Sequence, residues 1–145
     1  MTNMPVILLI DDNPEDAMLI IDAFKELSSG YKFYTVKDGV EALAFLKKTD
    51  SYTNAPRPDL ILLDLNMPKK DGYDVLKEIK SESELKIIPI IVLTSSAAQK
   101  DVYKAYDFHA NSYIVKTSDI GHLNEIVKSI EKFWFHIVKL PVLEK

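Results

Sequence analysis

The sequence predicts an α/β protein with a doubly wound, five-stranded parallel sheet covered by helices on both faces. Short apolar runs alternate along the chain with segments of helical periodicity, which indicates repeated βα units. Most of these runs are continuously apolar, as expected of parallel strands that are buried on both faces. Crossovers between parallel strands are right-handed, so each helix packs back onto the sheet.

Length and composition are those of one ordinary globular domain. The chain has 145 residues, 47% of them apolar, and we expect one domain over residues 1–145, with a core from about 4 to 138 and a tail at 139–145. The absence of cysteine excludes disulfides and thiolate metal sites. The net charge is −4 without a basic block, and no segment is typical of a membrane span or signal peptide. We therefore expect a cytoplasmic protein that binds neither nucleic acid nor membranes.

The first two βα units precede a loop. The run VILLI at residues 6–10 predicts a buried strand, and helical spacing starts at Pro14, a residue suited to a first helical turn. YKFYTV at 31–36 alternates enough to be the second strand, and GVEALAFLKK at 39–48 predicts a short helix. The polar segment 49–58 contains two prolines and predicts a loop. The apolar face of the first helix consists of Ala17, Ile20, Ile21, Phe24 and Leu27.

The third unit starts with LILLD at residues 60–64, which predicts another buried strand. A turn at 66–72 leads into the third helix. IIPIIVLTSS at 87–96 predicts the fourth strand. The third helix has Val75, Leu76 and Ile79 facing inward.

The last two helices follow the fourth and fifth strands. Ser96 and Gln99 have the spacing of a capping box, so we expect a helix from there to about Phe108. SYIVK at 112–116 predicts the fifth strand, and a long helix follows from Asp119. The residues in register on that helix are Leu123, Ile126, Val127, Ile130, Trp134 and Ile137.

Acidic residues follow two strands at the edge where an open parallel sheet binds its ligands. Asp11 and Asp12 follow the first strand, and Asp64 ends the third. Two carboxylates about 4 Å apart repel by roughly 4 kcal/mol at an effective dielectric near 20. Three together repel more strongly unless one stays protonated, and a divalent cation removes the repulsion. Oxygen ligands without His or Cys favour Mg²⁺, with Mn²⁺ as the alternative, and Mg²⁺ usually binds a phosphate as well. The site therefore predicts metal-assisted phosphoryl chemistry.

The other strand ends supply groups for the same chemistry. Thr94 ends the fourth strand, is followed by Ser95 and Ser96, and has a hydroxyl that can donate to a phosphoryl oxygen. Lys116 ends the fifth strand and can offset negative charge on the phosphoryl group. A carboxylate can act as a nucleophile and form an aspartyl phosphate. We assign this role to Asp64, which stands alone on a central strand, and leave the adjacent acidic pair to the metal.

Four segments span the carboxyl ends of these strands, in this order along the chain: IDDNPED, LLDLNMPKKDG, VLTSSA and SYIVK. Together they closely resemble the response-regulator receiver domain of two-component signalling, over about residues 4–138. The resemblance implies a flavodoxin-like (βα)₅ fold with strand order 2-1-3-4-5. Among receivers, the closest similarity is to small stand-alone ones of the cyanobacterial-phytochrome type. That similarity is carried by NPED after the acidic pair, by SYTNAPRPDLILLDLNMP and by FWFHIVKLP.

The same resemblance implies a role for each residue of the site. Asp64 would be the phosphoacceptor, while Thr94 and Lys116 would contact the phosphoryl group. Tyr113 would be an aromatic switch residue that swings inward as the Thr94 hydroxyl is drawn to the phosphate. The metal ligands would be Asp11, Asp12, Asp64 and the backbone carbonyl of Asn66, with Asp12 and Asp64 the more direct, and Asn66 and Ser96 would tune the lifetime of the phosphorylated form.

Two residues depart from the family pattern. Thr117 stands where receivers usually have a proline joined to the lysine by a cis bond, so we expect either a trans bond or a cis bond held by packing. His109 stands where a glycine often ends the fourth helix in the left-handed conformation. Neither His109 nor the other two histidines, His122 and His136, has metal-ligand spacing, and all three are expected to be solvated.

Two other groups of residues have simpler interpretations. Glu15 and Asp16 are expected to favour the start of the first helix through its dipole. Phe133, Trp134 and Phe135 are adjacent, so they cannot all face one core. At least one of these rings should be exposed or covered by a partner.

The function implied is a phosphoacceptor switch rather than an enzyme that turns over an external metabolite. The phosphoryl group would come from a phosphohistidine on a sensor histidine kinase or a phosphotransfer protein, and the domain would catalyse this transfer and its own slow hydrolysis. Residues 97–138 would form the output surface. We expect no effector domain to follow, so that output would be by binding an unidentified downstream protein or by passing the phosphoryl group onward. A homodimer through the face of helix four, strand five and helix five is a further expectation.

Two alternatives remain. One is a pseudo-receiver, an interaction module that never carries phosphate, which Thr117 leaves open. The other is a flavodoxin-like cofactor binder or a true phosphatase. The chain has four glycines and no glycine-rich loop after the first strand, which argues against a nucleotide or flavin site.

Overall fold

The computed structural model describes residues 4–65, 67, 71–117 and 119–141, and these form five βα units. The strands are all parallel and lie in the order β2-β1-β3-β4-β5, which confirms the predicted fold and strand order. The strands are β1 (Val6–Ile10), β2 (Lys32–Val36), β3 (Leu60–Leu63), β4 (Ile90–Thr94) and β5 (Ser112–Val115). The helices are α1 (Pro14–Leu27), α2 (Gly39–Lys47), α3 (Gly72–Ser81), α4 (Gln99–Asp107) and α5 (Ile120–Lys132).

The three central strands carry the continuously apolar runs. Every residue of β1, β3 and β4 is buried, and all of them are apolar except Thr94 at the end of β4. The edge strands β2 and β5 include half-buried and exposed residues. Strand β4 is shorter than the predicted run at 87–96, and the predicted loop at 49–58 includes a 3₁₀ turn at Asp50–Tyr52.

The sheet separates two hydrophobic cores. One face packs α2, α3 and α4 through residues such as Phe45, Leu76 and Ala105. The other face packs α1 and α5 through Phe24 and Val127. Because side chains of a strand alternate between faces, neighbouring residues of β1 belong to different cores.

Side-chain caps begin four of the five helices. Asn13 caps α1, Asp38 caps α2, Asp71 caps α3 and Asp119 caps α5, each accepting a backbone N–H from the first turn. Helix α1 has the proline at its first position, as predicted.

The capping box predicted at the start of α4 is wrong. Helix α4 is preceded by Ala98, which makes no side-chain cap. The Ser96 hydroxyl instead donates to the Asp101 carboxylate and accepts the N–H of Ala98. Spacing alone selected Ser96, but its hydroxyl bonds the Asp101 side chain and the N–H of Ala98, which precedes the helix, rather than an N–H of the first helical turn.

The end of α5 departs from the predicted helical register. A π-helical turn at Phe133–Ile137 follows α5, so Ile137 lies outside the predicted face and is 61% exposed. Trp134 is half-buried, and Phe135 packs against Tyr31 with ring centroids 4.9 Å apart. Phe133 is exposed, which confirms that the three rings do not share one core.

Both departures from the family pattern have a defined backbone. His109 has φ 72°, the left-handed conformation in which a glycine was expected, and it follows the end of α4. The bond between Lys116 and Thr117 is trans, which is the first of the two geometries expected there. Within the described ranges, no helix combines the length and the apolar composition required to cross a membrane.

Candidate functional site: an acidic cluster at the carboxyl edge of the sheet

The pairing of β1 with β3 brings the predicted carboxylates together. Ile10 is paired with Leu63, so Asp11 and Asp64 leave their strands side by side, and the N–H of Asp64 donates to the Ile10 carbonyl at 2.9 Å. Oxygen atoms of Asp11, Asp12 and Asp64 lie within 4.8 Å of one another. Asp11 and Asp64 are buried, whereas Asp12 is exposed.

Thr94 contacts the central carboxylate from the neighbouring strand. Its hydroxyl donates to Oδ1 of Asp64 at 3.0 Å. The side chain is buried at the end of β4, in the position that the sequence predicted. A hydroxyl held here can donate to an oxygen of a group attached to Asp64.

Lys116 reaches the cluster from the end of β5. Its ammonium lies 2.9 Å from Oδ2 of Asp11, 3.2 Å from Oδ2 of Asp64 and 3.0 Å from Oδ2 of Asp16. Burial disfavours the charged ammonium, but hydrogen bonds to Asp11 and Asp16 outweigh it and raise the pKa of Lys116. The lysine is therefore a permanent positive charge beside the carboxylate of Asp64.

Asp16 is the residue of this site that sequence reasoning missed. An acidic residue in the first turn of a helix was attributed to the helix dipole, the usual explanation. Its carboxylate instead binds a lysine 100 residues away. The one available signal was its place in NPED, one helical turn after the acidic pair and on the same edge of the sheet.

Burial is the largest influence on the pKa of Asp11. It raises the pKa of this carboxyl above its ordinary value, while the N–H of Asn13, at 2.9 Å from Oδ1, and the Lys116 ammonium act in the opposite direction. A buried carboxylate of this kind gains from a cation, because the cation offsets the burial of its charge.

Gly72 lets α3 start against the backbone of the site. Its N–H donates to the Leu65 carbonyl at 3.0 Å. A Cβ atom at position 72 would lie 2.7 Å from the carbonyl oxygen of Asp64, and closer still to Cα of Leu65. Only glycine allows this approach, so Gly72 fixes the backbone that follows Asp64.

A second polar network joins the site to α4. The hydroxyl of Tyr113 donates to the Ser96 carbonyl at 2.8 Å, and the Tyr73 hydroxyl donates to Oδ1 of Asp101 at 2.7 Å. The hydrogen bonds from Ser96 and Tyr73 lower the pKa of Asp101. Tyr113, the predicted switch residue, is thus half-buried and attached to the loop that follows Thr94.

The residues present fit a hard divalent cation. Three carboxylates converge, two of them buried, and neither a histidine nor a cysteine lies among them. The fourth predicted ligand, the backbone carbonyl of Asn66, lies outside the described residues.

The three histidines lie away from this cluster, and all three are exposed. His136 contacts Glu131, a partner that the sequence did not predict.

The sequence profile of the family described as "Response regulator receiver domain" matches residues 7–128. The chain belongs to this family. It is 44% identical over 136 residues to Response regulator Rcp1 of Synechocystis sp. (strain ATCC 27184 / PCC 6803 / Kazusa), covering 94% of this chain and 92% of that protein. The predicted resemblance to receivers of the cyanobacterial-phytochrome type is therefore confirmed.

Solved receiver structures are similar over nearly the full length of the chain. The phosphorylated cyanobacterial phytochrome response regulator RcpA is 47% identical with a TM-score of 0.91, covering 95% of this chain and 99% of that one. The Mn²⁺-bound form of Rcp1 is 43% identical with a TM-score of 0.89, at the same coverage. Receivers are phosphoacceptor switches that take phosphoryl groups from histidine kinases or phosphotransfer proteins, and the acidic cluster of this receiver fits that function and a divalent metal.

Proposed function

We propose that this receiver accepts a phosphoryl group on Asp64, with Mg²⁺ bound by the three carboxylates, and that phosphorylation changes a protein-binding face. One observation carries the assignment to Asp64. Of the three carboxylates of the cluster, it is the one that both the Thr94 hydroxyl and the Lys116 ammonium contact. A nucleophile needs such donors nearby, since they can stabilise the charge on the phosphoryl oxygens.

In the forward reaction, a carboxylate oxygen of Asp64 attacks the phosphorus of a phosphohistidine on the kinase or phosphotransfer protein. A bond between oxygen and phosphorus forms, the bond between nitrogen and phosphorus breaks, and the imidazole leaves with that electron pair. Lys116 and Thr94 hold the phosphoryl oxygens of the resulting acyl phosphate. Mg²⁺, or Mn²⁺ in its place, would neutralise part of the phosphoryl charge when bound by Asp11, Asp12 and Asp64.

The switch returns by hydrolysis. Water attacks the phosphorus, the bond to the Asp64 oxygen breaks, and inorganic phosphate leaves while the carboxylate is restored. Asn66 and Ser96, each two residues after a residue of the site, are the positions that we expect to tune the lifetime of the phosphorylated form. Turnover of a separate phosphomonoester is not part of this proposal.

The proposed output passes through Thr94 to α4. A phosphoryl group on Asp64 offers the Thr94 hydroxyl a new acceptor, which moves the following loop and releases the Ser96 carbonyl from Tyr113. The face of α4, β5 and α5 then changes. It exposes large apolar side chains that suit a downstream protein or a second copy of the chain, namely Tyr103, Tyr106, Val115 and Ile120.

The test is intact mass after incubation with Mg²⁺ and acetyl phosphate. We expect wild type to gain one phosphoryl group, and to gain none with EDTA. Asp64→Asn should gain none, while Asp22→Asn, an exposed aspartate on α1, should behave as wild type. A folded wild-type protein that gains no mass would instead favour the pseudo-receiver. Equal labelling of Asp64→Asn would place the acceptor on another residue.

A further inference from the structure

The ammonium of Lys116 is shared among carboxylates from three different elements. Asp11 follows β1, Asp64 follows β3 and Asp16 lies in the first turn of α1, and each is within 3.2 Å of the lysine nitrogen. An ammonium has three N–H donors, so these carboxylates occupy all of them. The lysine side chain is only 13% exposed, which makes this arrangement well shielded from water.

Asp16 differs from the other two partners. Asp11 and Asp64 belong to the group whose oxygens can share one cation, and Asp16 does not. Its backbone is fixed, because its N–H donates to the side chain of Asn13 at 3.1 Å in the cap of α1. Its side chain is 37% exposed, whereas those of Asp11 and Asp64 are 6% and 9% exposed.

The proposed reaction changes both buried partners of the lysine. A bound metal ion would be held by Asp11 and Asp64 and would offset their negative charges. Phosphorylation converts the Asp64 carboxylate into an acyl phosphate. Asp16 lies outside the metal-binding group and is not the phosphoacceptor, so neither event changes its side chain chemically. It is therefore the partner that can hold the ammonium while the other two are engaged.

We infer that Asp16 is a positioning residue, which holds the Lys116 ammonium over the phosphoryl position and draws it away from the two carboxylates that also bind the metal. This inference rests on the function proposed above. Without the charge of Asp16, the ammonium would bind Asp11 and Asp64 alone and would compete with the cation for them. Both metal affinity and the rate of phosphoryl acceptance would then fall.

The test compares Asp16→Asn with Glu15→Gln, in wild-type and Lys116→Met backgrounds. Glu15 is a matched control, because it is an exposed acid in the same helical turn whose N–H is also bound by Asn13. With Lys116 present, we expect Asp16→Asn to lower the rate of labelling by acetyl phosphate about tenfold, the usual effect of losing a group that orients a site residue. Asp16→Glu should restore part of that rate.

Mn²⁺ affinity, measured by calorimetry in all of these proteins, provides the second readout and does not require phosphorylation. We expect Asp16→Asn to weaken Mn²⁺ binding more than Glu15→Gln does, and this excess to disappear in the Lys116→Met background. An equal excess in both backgrounds, or no difference from Glu15→Gln, would overturn the inference. Absence of labelling in wild type would instead contradict the proposed function, while the Mn²⁺ comparison would still decide the role of Asp16.

Discussion

The hydroxyl of Thr94 donates a hydrogen bond of 3.0 Å to Oδ1 of Asp64, and both side chains are buried. The two residues come from neighbouring strands, so this bond joins the proposed acceptor to the loop that leads into α4. A change at the Asp64 carboxylate therefore acts directly on Thr94.

Replacement of Thr94 tests whether its hydroxyl takes part in phosphoryl acceptance. Thr94→Val keeps the shape of the side chain and removes the donor, and we expect labelling by acetyl phosphate to slow about tenfold, because hydrogen bonds to charged groups are among the stronger ones. Thr94→Ser keeps the donor and should label at nearly the wild-type rate. Similar rates for the valine and serine variants would show that the hydroxyl has no part in the reaction.

Removal of the Tyr113 hydroxyl should separate switching from chemistry. Tyr113→Phe loses the bond to the Ser96 carbonyl, at 2.8 Å, but leaves Asp64, Thr94 and Lys116 in place. We expect an unchanged labelling rate and about fivefold faster amide exchange in α4 before phosphorylation, since one hydrogen bond contributes about 1 kcal/mol. The difference in α4 amide exchange between the unphosphorylated and the phosphorylated protein should be smaller in Tyr113→Phe than in wild type.

Tyr106→Phe is the control for that measurement, because Tyr106 is an exposed tyrosine on α4, the helix whose amide exchange is measured. Its α4 amides should exchange as in wild type. A Tyr113→Phe protein with wild-type exchange in both forms would show that the ring hydroxyl does not couple the site to α4.

A methyl group at position 72 should disturb the backbone of the site. Gly72→Ala places its Cβ against Leu65 and the Asp64 carbonyl, and we expect the free energy of unfolding to fall by about 1–3 kcal/mol, as for other overpacked positions. Labelling should slow as well. Gly121→Ala is the control, since Gly121 is an exposed helical glycine whose added Cβ would meet only the flexible Asp119 side chain at 3.3 Å. Equal unfolding midpoints in urea for the two variants would contradict this prediction.

His109 offers a route to a more stable protein. Its φ of 72° is unfavourable for a residue with a Cβ, so His109→Gly should raise the free energy of unfolding by about 1 kcal/mol. His109→Ala removes the imidazole but keeps the Cβ, and it should give no such gain. Urea unfolding distinguishes the two, and a gain for alanine as large as that for glycine would trace the effect to the imidazole.

Lys80 should make stability rise with pH in the alkaline range. Its ammonium donates to the carbonyls of Lys86 and Ile88 and to Oδ1 of Asn111, yet burial lowers its pKa to about 8 from an ordinary value of 10.5. Between about pH 8 and 10, the unfolded chain keeps this proton and the folded protein has lost it. Unfolding then takes up a proton, so the contribution of Lys80 to the free energy of unfolding increases with pH.

Comparison with Lys80→Met isolates that contribution. Urea unfolding of both proteins across the same range should give a difference, wild type minus variant, that grows with pH. A difference that stays constant from about pH 8 to 10 would mean that Lys80 titrates alike in the folded and unfolded chains.

The sheet and most of the site were predictable because their signals are local. Continuous apolar runs identify strands buried on both faces, and the residue after each run lies at the carboxyl edge. Asp11, Asp64, Thr94 and Lys116 were placed in this way, and the structure brings them together. The sequence left the local geometry at His109 open, and the structure shows the left-handed backbone that glycine usually adopts there in receivers.

Two details of the helix ends were predicted wrongly from spacing along the chain. The Ser96 hydroxyl had the spacing of a helix cap but bonds Asp101, because the loop places Ala98 at the helix start. The prediction that Ile137 continues the apolar face of the last helix was wrong, because a π-helical turn replaces the regular helical repeat there. Spacing along the chain encodes neither the hydrogen-bond partner that a hydroxyl takes nor the position at which a helix changes to a π turn.

The sequence by itself determined the fold class and the edge of the sheet at which the chemistry lies, because hydrophobic burial and strand polarity follow from the order of residues. The strand order came from the resemblance to receiver domains. Tertiary structure alone decided how the charges at that edge are shared. Asp16 and Lys116 are 100 residues apart, and their ion pair of 3.0 Å exists because α1 begins where β5 ends, at the same edge of the sheet. Electrostatic interactions fall with distance in space, which only the packed fold defines.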